Sequence, residues 1–129
     1  MRTVAYTAIF GGKNLYAEPP PPIEAALFTD YPTVTARAQV HVVAPGPCPR
    51  RLARSFKATP QLHLSEYDTW IWLDGSMNAI SCDLEAFSDR HLAHADVAAL
   101  KHHERRCLYE EAEAVIRLKR DREDLIRSQ

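Results

Sequence analysis

The chain is poor in several things at once, and each shortage narrows what it does. No apolar run approaches the roughly 18 residues that a membrane helix needs, so no membrane partner is expected. Neither sign of charge dominates: 16 Lys and Arg stand against 17 Asp and Glu, a net charge of −1. No bulk electrostatic pull toward nucleic acid is therefore expected. Cysteine is scarce, with only Cys48, Cys82 and Cys107, far apart and without a CxxC pair. That argues against a disulfide framework or a zinc knuckle and for a reducing, cytoplasmic location. Each cysteine reads as a small hydrophobe rather than a nucleophile. The first residues, Met1-Arg2-Thr3-Val4-Ala5-Tyr6, lack a clean apolar stretch and a small-residue cleavage site, so they do not read as a signal peptide. Gly-x-Gly-x-x-Gly, the P-loop, Gly-x-Ser-x-Gly and His-Glu-x-x-His are all missing. The common dinucleotide, NTPase, hydrolase and zincin readings thus lack their usual signatures. No internal repeat is visible.

What is present is enough for a core. Hydrophobic residues make up 46% of 129 residues, which fits a single domain over 1–129. Val4 to Phe10 is rich in β-branched and aromatic residues and stops at Gly11-Gly12, so it predicts a buried first strand feeding a tight loop. Pro19 to Pro22 can form neither helix nor central strand and predicts a stiff loop. Ala25 to Thr29 and Ala38 to Ala44 predict two more strands, each closed by a proline-bearing turn. The stretch from Cys48 changes character. Leu52 and Phe56 share one helical face while Arg50, Arg54 and Lys57 share another, giving an amphipathic helix with a basic stripe that ends near Pro60.

Asp68 to Leu73 predicts a strand that, being Trp-Ile-Trp-Leu, should be buried on both faces and end on the turn Asp74-Gly75-Ser76. Met77 to Ile80 suggests a short return strand, and Asp83 is a plausible cap for a helix over Asp83 to Arg90. Ala95 to Leu100 suggests a strand, with its alanines leaving helix open, and Tyr109 to Arg127 predicts one long amphipathic helix. Alternating strands and helices argue for an α/β domain with a mainly parallel sheet. Ligands of such sheets bind beyond the carboxyl ends of the strands, which here directs attention to Gly11-Gly12, Asp30 and Asp74.

Asp74 is the sharpest candidate. A carboxylate fixed at a strand tip can hold a divalent cation that neutralises a diphosphate. Asp-Gly is also an ordinary turn dipeptide, and spacing alone leaves both readings open. Arg54 and Lys57 suit phosphate oxygens, yet a charge stripe is usually a solvated helix face. His102 in the run Lys101-His102-His103-Glu104 could serve as a lone ligand or hydrogen-bonding group, or simply sit in a polar loop. Glu110 and Glu111 suit the positive end of a helix dipole, with Arg105 or a sugar hydroxyl as another partner for a carboxylate there. Tyr6 and Thr7 either border a nucleotide base or pack the first strand.

Taken in order, Tyr6-Thr7-Ala8-Ile9-Phe10-Gly11, Phe28-Thr29-Asp30, Arg51-x-x-Arg54-x-x-Lys57, Trp72-Leu73-Asp74-Gly75, and Lys101-His102 with Arg105-x-Cys107-Leu108-Tyr109-Glu110-Glu111-Ala112 resemble the TOD1/MUCI70 glycosyltransferase-like domain. The resemblance runs over nearly the whole chain. It implies a GT-A-like, Rossmann-like fold that binds a nucleotide-diphospho-sugar and passes the sugar to an acceptor. Tyr6, Thr7 and Gly11 would border the nucleotide, and Asp30 would lie near the base or ribose. Asp74 would stand where such enzymes carry an Asp-x-Asp motif for manganese or magnesium, with Ser76 in place of the second carboxylate. His102 and Glu111 would complete the donor site. The family usually continues past the Tyr-Glu-Glu-Ala helix, so the resemblance also implies that an acceptor-side part is lacking and that the exposed sheet edge is open to a second copy. Two function classes follow: a transferase with Asp74, Arg54 and Lys57 at its centre, or a non-catalytic module that binds or assembles.

Overall fold

A computed structural model describes residues 1–12, 14–79, 83–101 and 103–129. They group into two compact units, Met1–His94 and Ala95–Gln129. The fold is α/β. Strands β1 (Thr3–Ile9), β2 (Glu24–Thr29), β3 (Gln39–Val42) and β4 (Thr69–Trp72) form one sheet, all parallel, in the order β3-β2-β1-β4. Helix α1 (Pro49–Ala58) carries the chain from β3 to β4, and α2 (Leu84–Leu92) follows β4. The second unit holds α3 (Leu108–Arg117) and α4 (Glu123–Arg127).

β1 is central because its sequence allows nothing else: every residue from Thr3 to Ile9 is buried. Its side chains alternate between two cores. Val4, Tyr6 and Ala8 join Phe28 and the α1 residue Phe56 on one face, while Ala5 joins Ile23 and the α2 residue Leu84 on the other. Phe56 stacks on Phe28 at 4.4 Å between ring centroids, which anchors the amphipathic α1 to the sheet. Asp83 caps α2, its carboxylate accepting from the Ala86 amide at 3.0 Å.

The proline-rich connection between β1 and β2 is tied down by charge. Glu18 accepts from the backbone amides of Arg37 and Ala38 at 2.9 and 2.6 Å, and the Arg37 guanidinium donates to the Pro19 carbonyl. At the amino end of the sheet, Arg2 grips both Glu24 oxygens at 3.1 and 3.0 Å. The Tyr67 hydroxyl donates to the same carboxylate at 2.6 Å.

Several elements differ from the reading of the sequence. β4 is only half-buried along its length, because it lies at the sheet edge with β1 as its one strand neighbour among the described residues. Residues 77–79 are not strand, and Ile80 lies outside the described residues. Residues 95–100 form neither strand nor helix. The long helix expected over 109–127 is broken in two. Lys119 takes φ 51°, and the Lys119 and Arg120 amides turn back to the carbonyls of Ile116 and Val115. That is a Schellman ending, built here without glycine. Its neighbours Arg120, Asp121 and Arg122 bring no apolar group to carry the buried stripe onward.

Candidate functional site

The strand order reverses beside β1: β2 and β3 extend the sheet on one side, and β4 returns on the other. Such a switch point splays the loops apart at the carboxyl ends and leaves a crevice. A cleft of about 550 Å³ opens there, on the α1 face. That is the size of a small-molecule site. Its floor is Ala8 and Trp72, and its walls carry Arg50, Arg54 and Lys57 from α1 against Asp74 and Ser76 from the β4 turn.

Each side chain has a reason to be there. Arg50, Arg54 and Lys57 are four and three residues apart, so the helix that buries Phe56 turns them to one side. Asp74 closes a tight turn in which its carbonyl accepts from the Met77 amide at 2.8 Å. Gly75 makes that turn fit. A Cβ there would stand 3.2 Å from Ile9 Cγ1 and 3.1 Å from Asn14 Nδ2, tighter than ordinary packing. The Asp74 carboxylate is aimed by Trp72, whose indole N–H donates to Oδ1 at 2.6 Å. Lys57 Nζ lies 3.8 Å from the same oxygen and 5.6 Å from the centre of the Trp72 ring. Both members of the ion pair are more than half exposed, so it adds little stability. Its consequence is placement: an ammonium and a carboxylate held at one mouth.

The net balance of the cleft is cationic. Three positive side chains line it with one carboxylate, a set suited to an anion with several oxygens, such as a diphosphate. Among the described residues no three His, Cys, Asp or Glu side chains gather as a metal cage. The cleft itself offers one carboxylate and the Ser76 hydroxyl. Magnesium and manganese are often held by one or two carboxylates together with substrate phosphates, so this donor set fits an ion that arrives with a diphosphate better than a resident one.

The other expected residues separate into distinct places. Asp30 and Gly11 come together at the next loop, where both Asp30 oxygens accept from the Gly11 amide at 3.3 and 3.2 Å. Gly11 and Gly12 have φ of 74° and 65°, the left-handed backbone that glycine adopts without strain. Tyr6 packs edge-on against Trp72 at 5.2 Å, and its hydroxyl donates to the Lys57 carbonyl at 3.1 Å. It therefore supports the cleft from beneath, and burial pushes its phenol up to about 12. Thr7 faces the other side of the sheet, in a small niche that also touches Asp74 and Gly75. Glu111 belongs to the second unit, where Arg105 Nε lies 3.2 Å from its carboxylate. His102 lies outside the described residues.

Two contributors were not anticipated. Trp72 acts as the holder of Asp74, and the signal was available: residues two apart at a strand end share a side. Asn14 lines the rim, and nothing in its local sequence sets it apart. Comparison of the chain with protein-family models, with curated proteins and with solved structures finds no match.

Proposed function

We propose that the protein is a GT-A-like glycosyltransferase that binds a nucleotide-diphospho-sugar in the α1–β4 cleft and transfers the sugar to an acceptor. The observation that carries this reading is the meeting of Arg54, Lys57, Asp74 and Ser76 in one crevice at the switch point of a parallel sheet. In the transfer, the bond from the anomeric carbon to the diphosphate oxygen breaks, a bond to an acceptor oxygen forms, and the acceptor hydroxyl gives up its proton to the departing diphosphate or to water. The leaving diphosphate gains negative charge. In this reading Arg54 and Lys57 would offset it, and electrostatic stabilisation of that kind is commonly the largest catalytic contribution. A manganese or magnesium ion, when bound with the diphosphate, would add further neutralisation, with Asp74 and the Ser76 hydroxyl as its protein ligands. Asp30 and Gly11 would border the nucleoside. No helix among the described residues is long and apolar enough to cross a membrane. The free thiols of Cys48 and Cys107 fit a cytoplasmic site of action.

A second reading is a non-catalytic module that binds the nucleotide, or assembles through its sheet edge, without transfer. Ser76 in place of a second carboxylate favours it. A thermal-shift series with UDP, GDP and their sugar conjugates, with and without manganese, separates the two when paired with an assay of donor hydrolysis. The transferase raises the unfolding midpoint with a diphosphate and hydrolyses one donor slowly. The module leaves every donor intact. No midpoint shift with any nucleotide removes the donor site altogether.

A further inference from the structure

Among the described residues that line the cleft, Asp74 is the one acid, and one of the cleft cations already lies against it. Its Oδ1 accepts from the Trp72 indole N–H at 2.6 Å and lies 3.8 Å from Lys57 Nζ. The two partners come from separate elements, the β4 turn and the last turn of α1. Both are braced from beneath. The Lys57 ammonium lies 5.6 Å from the centre of the Trp72 ring, and the buried Tyr6 packs on that ring while its hydroxyl donates to the Lys57 carbonyl. With side chains 52% and 57% exposed, the pair is open to solvent and to ligands. A bare anion that reaches Lys57 meets a carboxylate next to the ammonium and must draw the ammonium away from it. Like charge in contact range opposes such binding. A diphosphate that carries a divalent cation meets the same carboxylate as an attraction, because a bound cation inverts the local charge logic.

We propose that Asp74, held beside Lys57 by the Trp72 indole, is a selectivity residue that sets the cleft against bare polyanions and in favour of a diphosphate that arrives with a divalent cation. The proposal rests on the reading of the cleft as a diphosphate site. It adds that one carboxylate contributes with opposite sign in the two conditions. Without a cation, Asp74 competes with the anion for Lys57. With a cation, it helps to hold the complex and leaves Lys57 to the phosphate oxygens.

Calorimetric titration of the full-length protein with inorganic pyrophosphate, once in EDTA and once with magnesium, reads this sign directly. Asp74→Asn removes the charge, keeps the shape and can still accept from the indole. In EDTA it should bind pyrophosphate about 2–5-fold more tightly than wild type, the factor that an exposed ion pair can supply. In a Lys57→Ala background the same substitution should gain less, because the competed cation is gone. Magnesium should raise the affinity of wild type more than that of Asp74→Asn, so that the order of the two proteins reverses. Equal or weaker binding by Asp74→Asn in EDTA overturns the proposal. So does a gain of the same size in the Lys57→Ala background, or the same magnesium dependence in both proteins. Arg54→Ala tells this failure from failure of the site itself. Pyrophosphate that binds wild type and is weakened by Arg54→Ala upholds the anion site even where the selectivity is lost, whereas pyrophosphate that binds none of these proteins in either condition overturns both.

Discussion

Trp72 and Asp74 show how much of a site can rest on two side chains. The indole N–H fixes one carboxylate oxygen at 2.6 Å, and the same ring lies beneath the Lys57 ammonium. The sequence offered Asp74 as a candidate but could not choose between a turn aspartate and a ligand-binding one, since that choice depends on what faces it across the cleft. The Arg50, Arg54 and Lys57 stripe was legible from helical spacing; that these exposed side chains border one cleft with Asp74 was not. Elsewhere the Glu24 carboxyl and three phenols contribute to how stability changes with pH. The Tyr67 hydroxyl, and after it Arg2, hold the Glu24 carboxyl below its usual range. A depressed carboxylate stabilises above its unfolded value and loses that contribution as pH falls through the folded one. Burial pushes the phenols of Tyr6, Tyr16 and Tyr67 up to about 12. A raised phenol stabilises fully below its unfolded value near 10 and loses that contribution as pH rises toward 12. Unfolding midpoints measured across pH should therefore fall at both ends. Glu24→Gln should flatten the acid limb, and Tyr67→Phe should shrink the alkaline one.

At the scale of elements, the strands were legible because β1 and β2 are continuous apolar runs. The burial of β4 was overestimated for a physical reason. Trp-Ile-Trp-Leu is apolar on both faces, but sequence does not say that the strand will sit at an edge. α1 is attached mainly through Phe56, buried among Phe10, Phe28 and His63. Phe56→Ala should cost about 3–5 kcal/mol in chemical denaturation. It should also weaken ligand binding, since α1 carries three of the cleft cations. The break between α3 and α4 escaped the periodicity argument because Leu125 and Ile126 resume an apolar pattern beyond the polar run 119–124, and the left-handed Lys119 leaves no mark on that pattern. Lys119→Gly should stabilise the turn by roughly 0.5–1 kcal/mol, because glycine takes positive φ without a Cβ clash. A loss of stability in denaturant titration would show that the Lys119 side chain matters more than its backbone.

For the molecule as a whole, the parallel α/β class was readable from alternation alone, while the strand order that creates the crevice was not. Order depends on which strands find each other, and β4 joins β1 across 66 residues of chain from Val4 to its partner Trp70 only in the folded state. All four strands, both cores and the cleft lie within Met1–His94. A fragment of residues 1–94 should therefore unfold cooperatively on its own and keep its nucleotide affinity, with circular dichroism and titration as the measurements. The central claim, that the α1–β4 cleft holds a nucleotide diphosphate, is tested most directly by calorimetric titration of the full chain. UDP and GDP would be compared with the corresponding nucleosides, in wild type, Arg54→Ala and Lys57→Ala. The account predicts that at least one diphosphate binds while its nucleoside binds far more weakly. It also predicts that each variant loses about 10-fold or more in affinity, as expected for one charge-assisted contact. No binding by either diphosphate, or the same affinity in both variants as in wild type, would contradict it.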